Sequence, residues 1–180
     1  MESTGHALAV KDYLPLIGVI LGGVLAILGG FLSTFCLEWY RDRRLQKNLA
    51  LAFQGEITAI QEMVRKREYI EGLKKTIREI ENSGLPFRFS FRARRKYFSV
   101  YEAHVGSIGI LSPPLPNLVA RFYTQANGIL EDIEILGEID PSTTDPKILA
   151  ELYKRLLALF EDTESVGEQI IKEVSNQYCE

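Results

Sequence analysis

The chain has 180 residues, with 21 Lys/Arg against 24 Asp/Glu, a net charge of −3, two cysteines and two histidines. A balance this close to neutral excludes a broadly basic nucleic-acid binder, and two cysteines exclude a disulfide-stapled scaffold. The hydropathy is very unevenly spread, and the first forty residues carry most of the apolar excess.

Residues 14–37 contain no charged side chain, and Arg41, Arg43, Arg44 and Lys47 follow within ten residues. A helix that crosses a hydrocarbon core needs about 20 mainly apolar residues, so the run predicts a single transmembrane helix. The preceding tail carries Glu2, Lys11 and Asp12 and lacks the basic start of a cleaved signal peptide. Lys and Arg are retained on the cytoplasmic side, and Trp39 and Tyr40 fall where an interfacial aromatic belt belongs. The expectation is therefore a short extracytoplasmic tail at 1–13, a span at 14–37 and a cytoplasmic domain at 38–180, with Trp39, Tyr40, Arg41, Arg43 and Arg44 as interface anchors. Within the run, Gly18, Gly22, Ala26, Gly30 and Thr34 recur every fourth position. Residues at i and i+4 share a helix face, so these five predict an association surface for another helix.

From residue 38 to 81 there is no proline, and Leu45, Leu49, Phe53, Ile57, Ile60, Val64, Leu73, Ile77 and Ile80 fall at helical spacing. One long amphipathic helix is predicted, with Gly55 and Gly72 as the places for a bend and Asn82-Ser83-Gly84-Leu85-Pro86 as its end. Further helices are predicted at about 94–111, 116–138 and 147–176. The last is introduced by Asp145 as N-cap and Pro146 at its first position. The fold class is all-α: an N-terminal transmembrane helix followed by an up-and-down bundle with a long first helix.

Residues 41–96 hold 15 Lys/Arg and 7 Asp/Glu, whereas residues 121–180 hold 5 and 13. Opposite charge on the first and last helices suits their packing against each other, within a chain or between chains. Between them lies Phe87-Arg88-Phe89-Ser90-Phe91-Arg92-Ala93-Arg94-Arg95-Lys96-Tyr97-Phe98. Two readings stand for it. Arg88, Arg92, Arg94, Arg95 and Lys96 form a docking site for an acidic partner, or the phenylalanines plug the bundle while the arginines stay wet.

Catalytic and metal constellations are missing from the pattern. His6 and His104 have no ligand partner at suitable spacing, and Glu131, Glu134 and Glu138 read as a solvated face. No phosphate loop, nucleophile elbow or zinc-protease signature occurs, so neither catalysis nor a cofactor is expected. The expected function is a non-enzymatic, membrane-anchored helical scaffold or accessory subunit that self-associates or docks in a larger complex. The alternative is an oligomeric, channel-like or membrane-perforating effector gated by the bundle. The expected partners are membrane lipid, other transmembrane helices and further copies of the chain, with nucleic acid disfavoured.

The glycine-rich run, Glu38-Trp39-Tyr40-Arg41-Asp42-Arg43-Arg44, Tyr101-Glu102-Ala103 leading to Ile108-Gly109-Ile110-Leu111, and Val119-Ala120-Arg121-Phe122-Tyr123 together resemble uncharacterised bacterial single-pass membrane proteins with a cytoplasmic helical domain. The resemblance spans most of the chain. It implies the bacterial inner membrane and no particular chemistry.

Overall fold

The computed structural model describes the backbone of residues 5–91 and 97–178, with the side chains of residues 5–21, 24, 25 and 27 lying outside the description. Five α-helices occur among the described residues: α1 (Gly5–Lys66), α2 (Tyr69–Ser83), α3 (Ser99–His104), α4 (Leu115–Glu138) and α5 (Pro146–Tyr178). Two 3₁₀ turns, Val105–Ile110 and Pro141–Thr143, complete the list, and no strand occurs among them. The chain divides into two compact units, Met1–Leu45 and Gln46–Glu180.

Among the described residues no helix is long and apolar enough to cross a membrane. This corrects the transmembrane helix expected at 14–37, and with it the single-pass, inner-membrane placement and the assignment of the two ends to opposite sides. The uncharged run at 14–37 is rich in small and polar side chains. Gly29, Gly30, Ser33 and Thr34 dilute its hydropathy, and Glu38 closes it. Residues 14–21, 24, 25 and 27 of the expected span lie outside the described residues.

The second unit is a bundle of three rods. The first is composite, because α1 ends at Lys66 and α2 begins at Tyr69. Neither Gly55 nor Gly72 makes that break. Glu68 does, with φ 52° in the left-handed region, a conformation costing a non-glycine residue about 1–2 kcal/mol. The turn is closed by bonds from the Arg67 amide to the Met63 carbonyl and from the Glu68 amide to the Arg65 carbonyl. It delivers Tyr69 into the core, where it meets Phe91 and Phe160.

Contacts along the composite rod run antiparallel to α5. Gln61 donates to the Glu164 carbonyl at 2.8 Å, Lys74 meets Glu161 at 3.0 Å, and Glu81 meets Lys154 at 3.0 Å. Arg65 reaches both Glu164 and Glu168, at 2.8 and 2.9 Å, and Arg121 of α4 grips Asp162 at 2.8 Å. The opposite charges of the two ends of the sequence therefore meet within one chain. The ion pairs among them are largely solvent-exposed, so they select register and partner more than they add stability.

The core has two storeys. The upper storey joins Leu49, Phe53 and Ile57 of α1 to Val119, Phe122 and Tyr123 of α4 and Val166, Ile170 and Val174 of α5. The lower storey joins Leu73, Ile77 and Ile80 of α2 to Ile129 and Leu136 of α4 and Leu149, Tyr153 and Leu156 of α5. The helix ends follow their sequence signals. Gly84 takes φ 65° and donates its amide to the Ile80 carbonyl, capping α2. Asp145 accepts from the Lys147 amide at 2.8 Å, with Pro146 opening α5.

The helix expected at 94–111 is replaced by the six residues of α3 and the 3₁₀ turn Val105–Ile110, residues 94–96 lying outside the described residues. Gly106 and Gly109 both fall in that turn, where their backbone entropy weighs against a continuing α-helix.

Glycines 55 and 72 separate two effects. A methyl group at Gly55 would meet open space, whereas one at Gly72 would overlap the Phe89 ring. Gly55→Ala is expected to raise unfolding free energy by roughly 0.5–1 kcal/mol through helix propensity alone. Gly72→Ala is expected to lower it by about 1–2 kcal/mol, because the ring must leave its seat. Urea unfolding of the two variants checks the opposite signs.

Candidate functional site

The best-connected polar group in the bundle is the carboxylate of Glu56, on α1 between Phe53 and Ile57. It accepts from the backbone amides of Val100 and Tyr101 at 2.7 and 3.1 Å, from the Ser99 hydroxyl at 3.2 Å, and from the Tyr123 hydroxyl at 2.5 Å. Phe98, the residue that precedes α3, makes no side-chain cap of its own. Glu56 thus caps α3 from another helix, in place of the usual local Ser, Thr or Asp.

Tyr123 is fully buried. Its ring stacks on Tyr101 at 4.1 Å and meets Phe122, Phe98 and Phe53 at 5.2, 5.5 and 6.1 Å between centroids. Burial first, and then the bond to the Glu56 carboxylate, push its phenol well above the ordinary range. A phenol so reluctant to ionise is a hydrogen-bond donor and not a proton acceptor in catalysis. Among the described residues no group of three or more His, Cys, Asp or Glu could hold a metal ion. His104 sits exposed at the end of α3, and Glu131, Glu134 and Glu138 are likewise exposed.

Of the association residues read from the sequence, Gly18 lies outside the described residues, and Gly22, Ala26, Gly30 and Thr34 are exposed on α1. A methyl group at Gly22 or Gly30 would meet nothing within 4 Å. Thr34 returns its hydroxyl to the Gly30 carbonyl at 3.0 Å, so its polar atom is already bonded within the helix. Leu28, Phe31, Leu32, Phe35 and Leu37 are 51–73% exposed, as are Trp39, Tyr40 and Leu45. Arg43 lies over the Trp39 ring at 4.8 Å, while Tyr40, Arg41 and Arg44 are exposed.

The aromatic–basic segment divides differently. Phe89 and Phe91 pack edge to face at 4.6 Å and join the lower core, with Phe91 stacked on Phe160. The Phe89 amide donates to the Tyr153 hydroxyl at 3.1 Å. Arg88 donates to the Gly137 carbonyl, which ties the segment to the end of α4. Phe89 and Phe91 therefore pack into the bundle, and Phe87 stays exposed. Arg92, Arg94, Arg95 and Lys96 lie outside the described residues.

Sequence reasoning missed the role of Glu56. Its only signal is a carboxylate sitting beside an apolar stripe, at i+3 from Phe53 and i−1 from Ile57.

No protein-family model matches the chain, and no curated protein or solved structure matches it either.

Glu56→Gln keeps the shape but weakens acceptance from four donors, and Glu56→Ala abolishes it. Losses of about 1 and 2–3 kcal/mol in unfolding free energy are expected, since the orphaned, fully buried Tyr123 phenol carries its full desolvation penalty. Hydrogen exchange at the Val100 and Tyr101 amides should accelerate in the same order. Unchanged exchange at these two amides would show that they do not depend on Glu56.

Proposed function

We propose that the chain is a non-enzymatic helical scaffold or accessory subunit that self-associates through residues 22–45 of α1. The observation that carries this reading is the row of large apolar side chains on that segment, Leu28, Phe31, Leu32, Phe35, Leu37, Trp39, Tyr40 and Leu45, each more than half exposed. Large apolar side chains exposed together along one short segment mark an interaction site, whereas apolar residues scattered singly need no explanation. Gly22, Ala26, Gly30 and Thr34 add a smooth stripe on which a second helix backbone can approach closely. The bundle of the second unit has its own two-storey core. The channel-like alternative required a membrane-spanning helix and is not carried forward.

Cysteine cross-linking of the full chain tests the proposal. In a background of Cys36→Ser and Cys179→Ser, Leu32→Cys places a thiol among the exposed large apolar side chains, and Glu62→Cys places one on an exposed position of α1 beyond the segment. Oxidation should give a disulfide-linked dimer from Leu32→Cys several-fold faster than from Glu62→Cys, and Phe31→Ser with Phe35→Ser should suppress it. Equal rates at the two positions, or a chain that sediments as a monomer, would remove the self-association reading.

A further inference from the structure

The bundle is incompletely filled at the level where α1 gives way to α2. A cavity of about 70 Å³ opens there, walled by Ile60 and Val64 of α1, Ala126 and Ile133 of α4, and Phe160 of α5. Ala126 is buried and brings only a methyl group to this wall, so no bulky side chain of α4 fills the space opposite Ile60. The lining atoms around such a void lack neighbours on one side and forfeit dispersion contacts there.

The polar groups on the wall are engaged already. The Gln61 amide donates to the Glu164 carbonyl at 2.8 Å, and the Thr163 hydroxyl donates to the Leu159 carbonyl at 2.7 Å. The Glu164 carboxylate meets Arg65 at 2.8 Å. At the rim, the Arg67 guanidinium is held by the Tyr69 and Tyr97 hydroxyls at 2.9 and 3.5 Å. The cavity exceeds the ~10–15 Å³ that one water requires, yet water needs two to four polar partners to stay. An ion would fare worse, since it would shed its hydration with no counter-charge left over for it.

We propose that this cavity binds a small neutral apolar molecule, held by dispersion contacts with Ile60, Val64, Ala126, Ile133 and Phe160. Its volume of about 70 Å³ is roughly half of the ~150 Å³ that accepts a benzene ring, which leaves room for about three or four heavy atoms. A volatile short hydrocarbon fits that description, whereas an aromatic ring is too large. Recognition rests on size and the lack of charge, and no side chain of the wall gives up a partner. The site lies wholly within the second unit and does not depend on association through α1.

The test exposes the full chain to xenon under pressure, with the side-chain methyl groups followed by NMR and melting recorded for every variant. Xenon stands in for the neutral guest. It should shift the methyl resonances of Ile60, Val64, Ala126 and Ile133 saturably, leave those of Ile77 and Leu149 in place, and raise the melting temperature, as any ligand of the folded state does. Propanoate at the same dissolved concentration should move none of these signals, because its charge finds no partner. Ala126→Leu fills the hole and should abolish the xenon response. Ile133→Phe blocks the half-buried rim without crowding the centre, and it should weaken the response several-fold if Ala126→Leu fails to fold. Three results would overturn the proposal: no saturable xenon shift in the folded wild type, propanoate binding there as tightly as xenon, or an unchanged xenon response in a folded cavity-filling variant.

Discussion

The second unit depends on one buried-edge carboxylate, that of Glu56. Three elements distant in sequence converge on it: α1 supplies the acceptor, the start of α3 supplies two backbone amides and the Ser99 hydroxyl, and α4 supplies the Tyr123 hydroxyl. Each donor has a need that only this group meets. A six-residue helix cannot hold itself together in water, since helix nucleation costs more than so few hydrogen bonds return. A fully buried phenol without an acceptor would carry its desolvation penalty uncompensated. One side chain answers both requirements, and the aromatic rings of Phe53, Phe98, Tyr101 and Phe122 then close around Tyr123.

The rest of the bundle follows from that anchor. With α3 and the Val105–Ile110 turn held, Phe98, Ile108 and Leu111 fill the upper storey, and Ser112 and Pro113 are tied to the end of α5 by Tyr178 and Gln177. The lower storey is sealed by the segment that carries Phe89 and Phe91, for which Gly72 leaves the necessary room. The two storeys meet near the Glu68 break, and the cavity with Arg67 at its rim lies at that level.

Much of this architecture was legible in the residues. Apolar periodicity located α4 and α5 to within a few positions, and Gly84, Asp145 and Pro146 stood where their conformational preferences put them. The division of charge between the ends of the chain anticipated Arg65 with Glu164 and Lys74 with Glu161. What escaped was non-local. The break at Glu68 has no glycine or proline to announce it, and it is accompanied by packing of Tyr69 against Phe91 and Phe160. The brevity of α3 reflects a cap that comes from another helix. The uncharged run at 14–37 argued for a membrane span, yet no helix among the described residues is long and apolar enough for one. The exposed aromatic and aliphatic side chains that remain on α1 are the features from which the self-association reading was drawn.

The most direct test of the account is a double-mutant cycle in urea between Glu56→Gln and Tyr123→Phe. Residues that share one hydrogen bond in a common network couple by about 0.5–3 kcal/mol, whereas independent sites add to within about 0.3–0.5 kcal/mol. A coupling above about 1 kcal/mol is predicted, because removing the phenol hydroxyl leaves the weakened acceptor with less to lose. Additivity within error would contradict the claim that Glu56 and Tyr123 act as one unit that holds α1, α3 and α4 together.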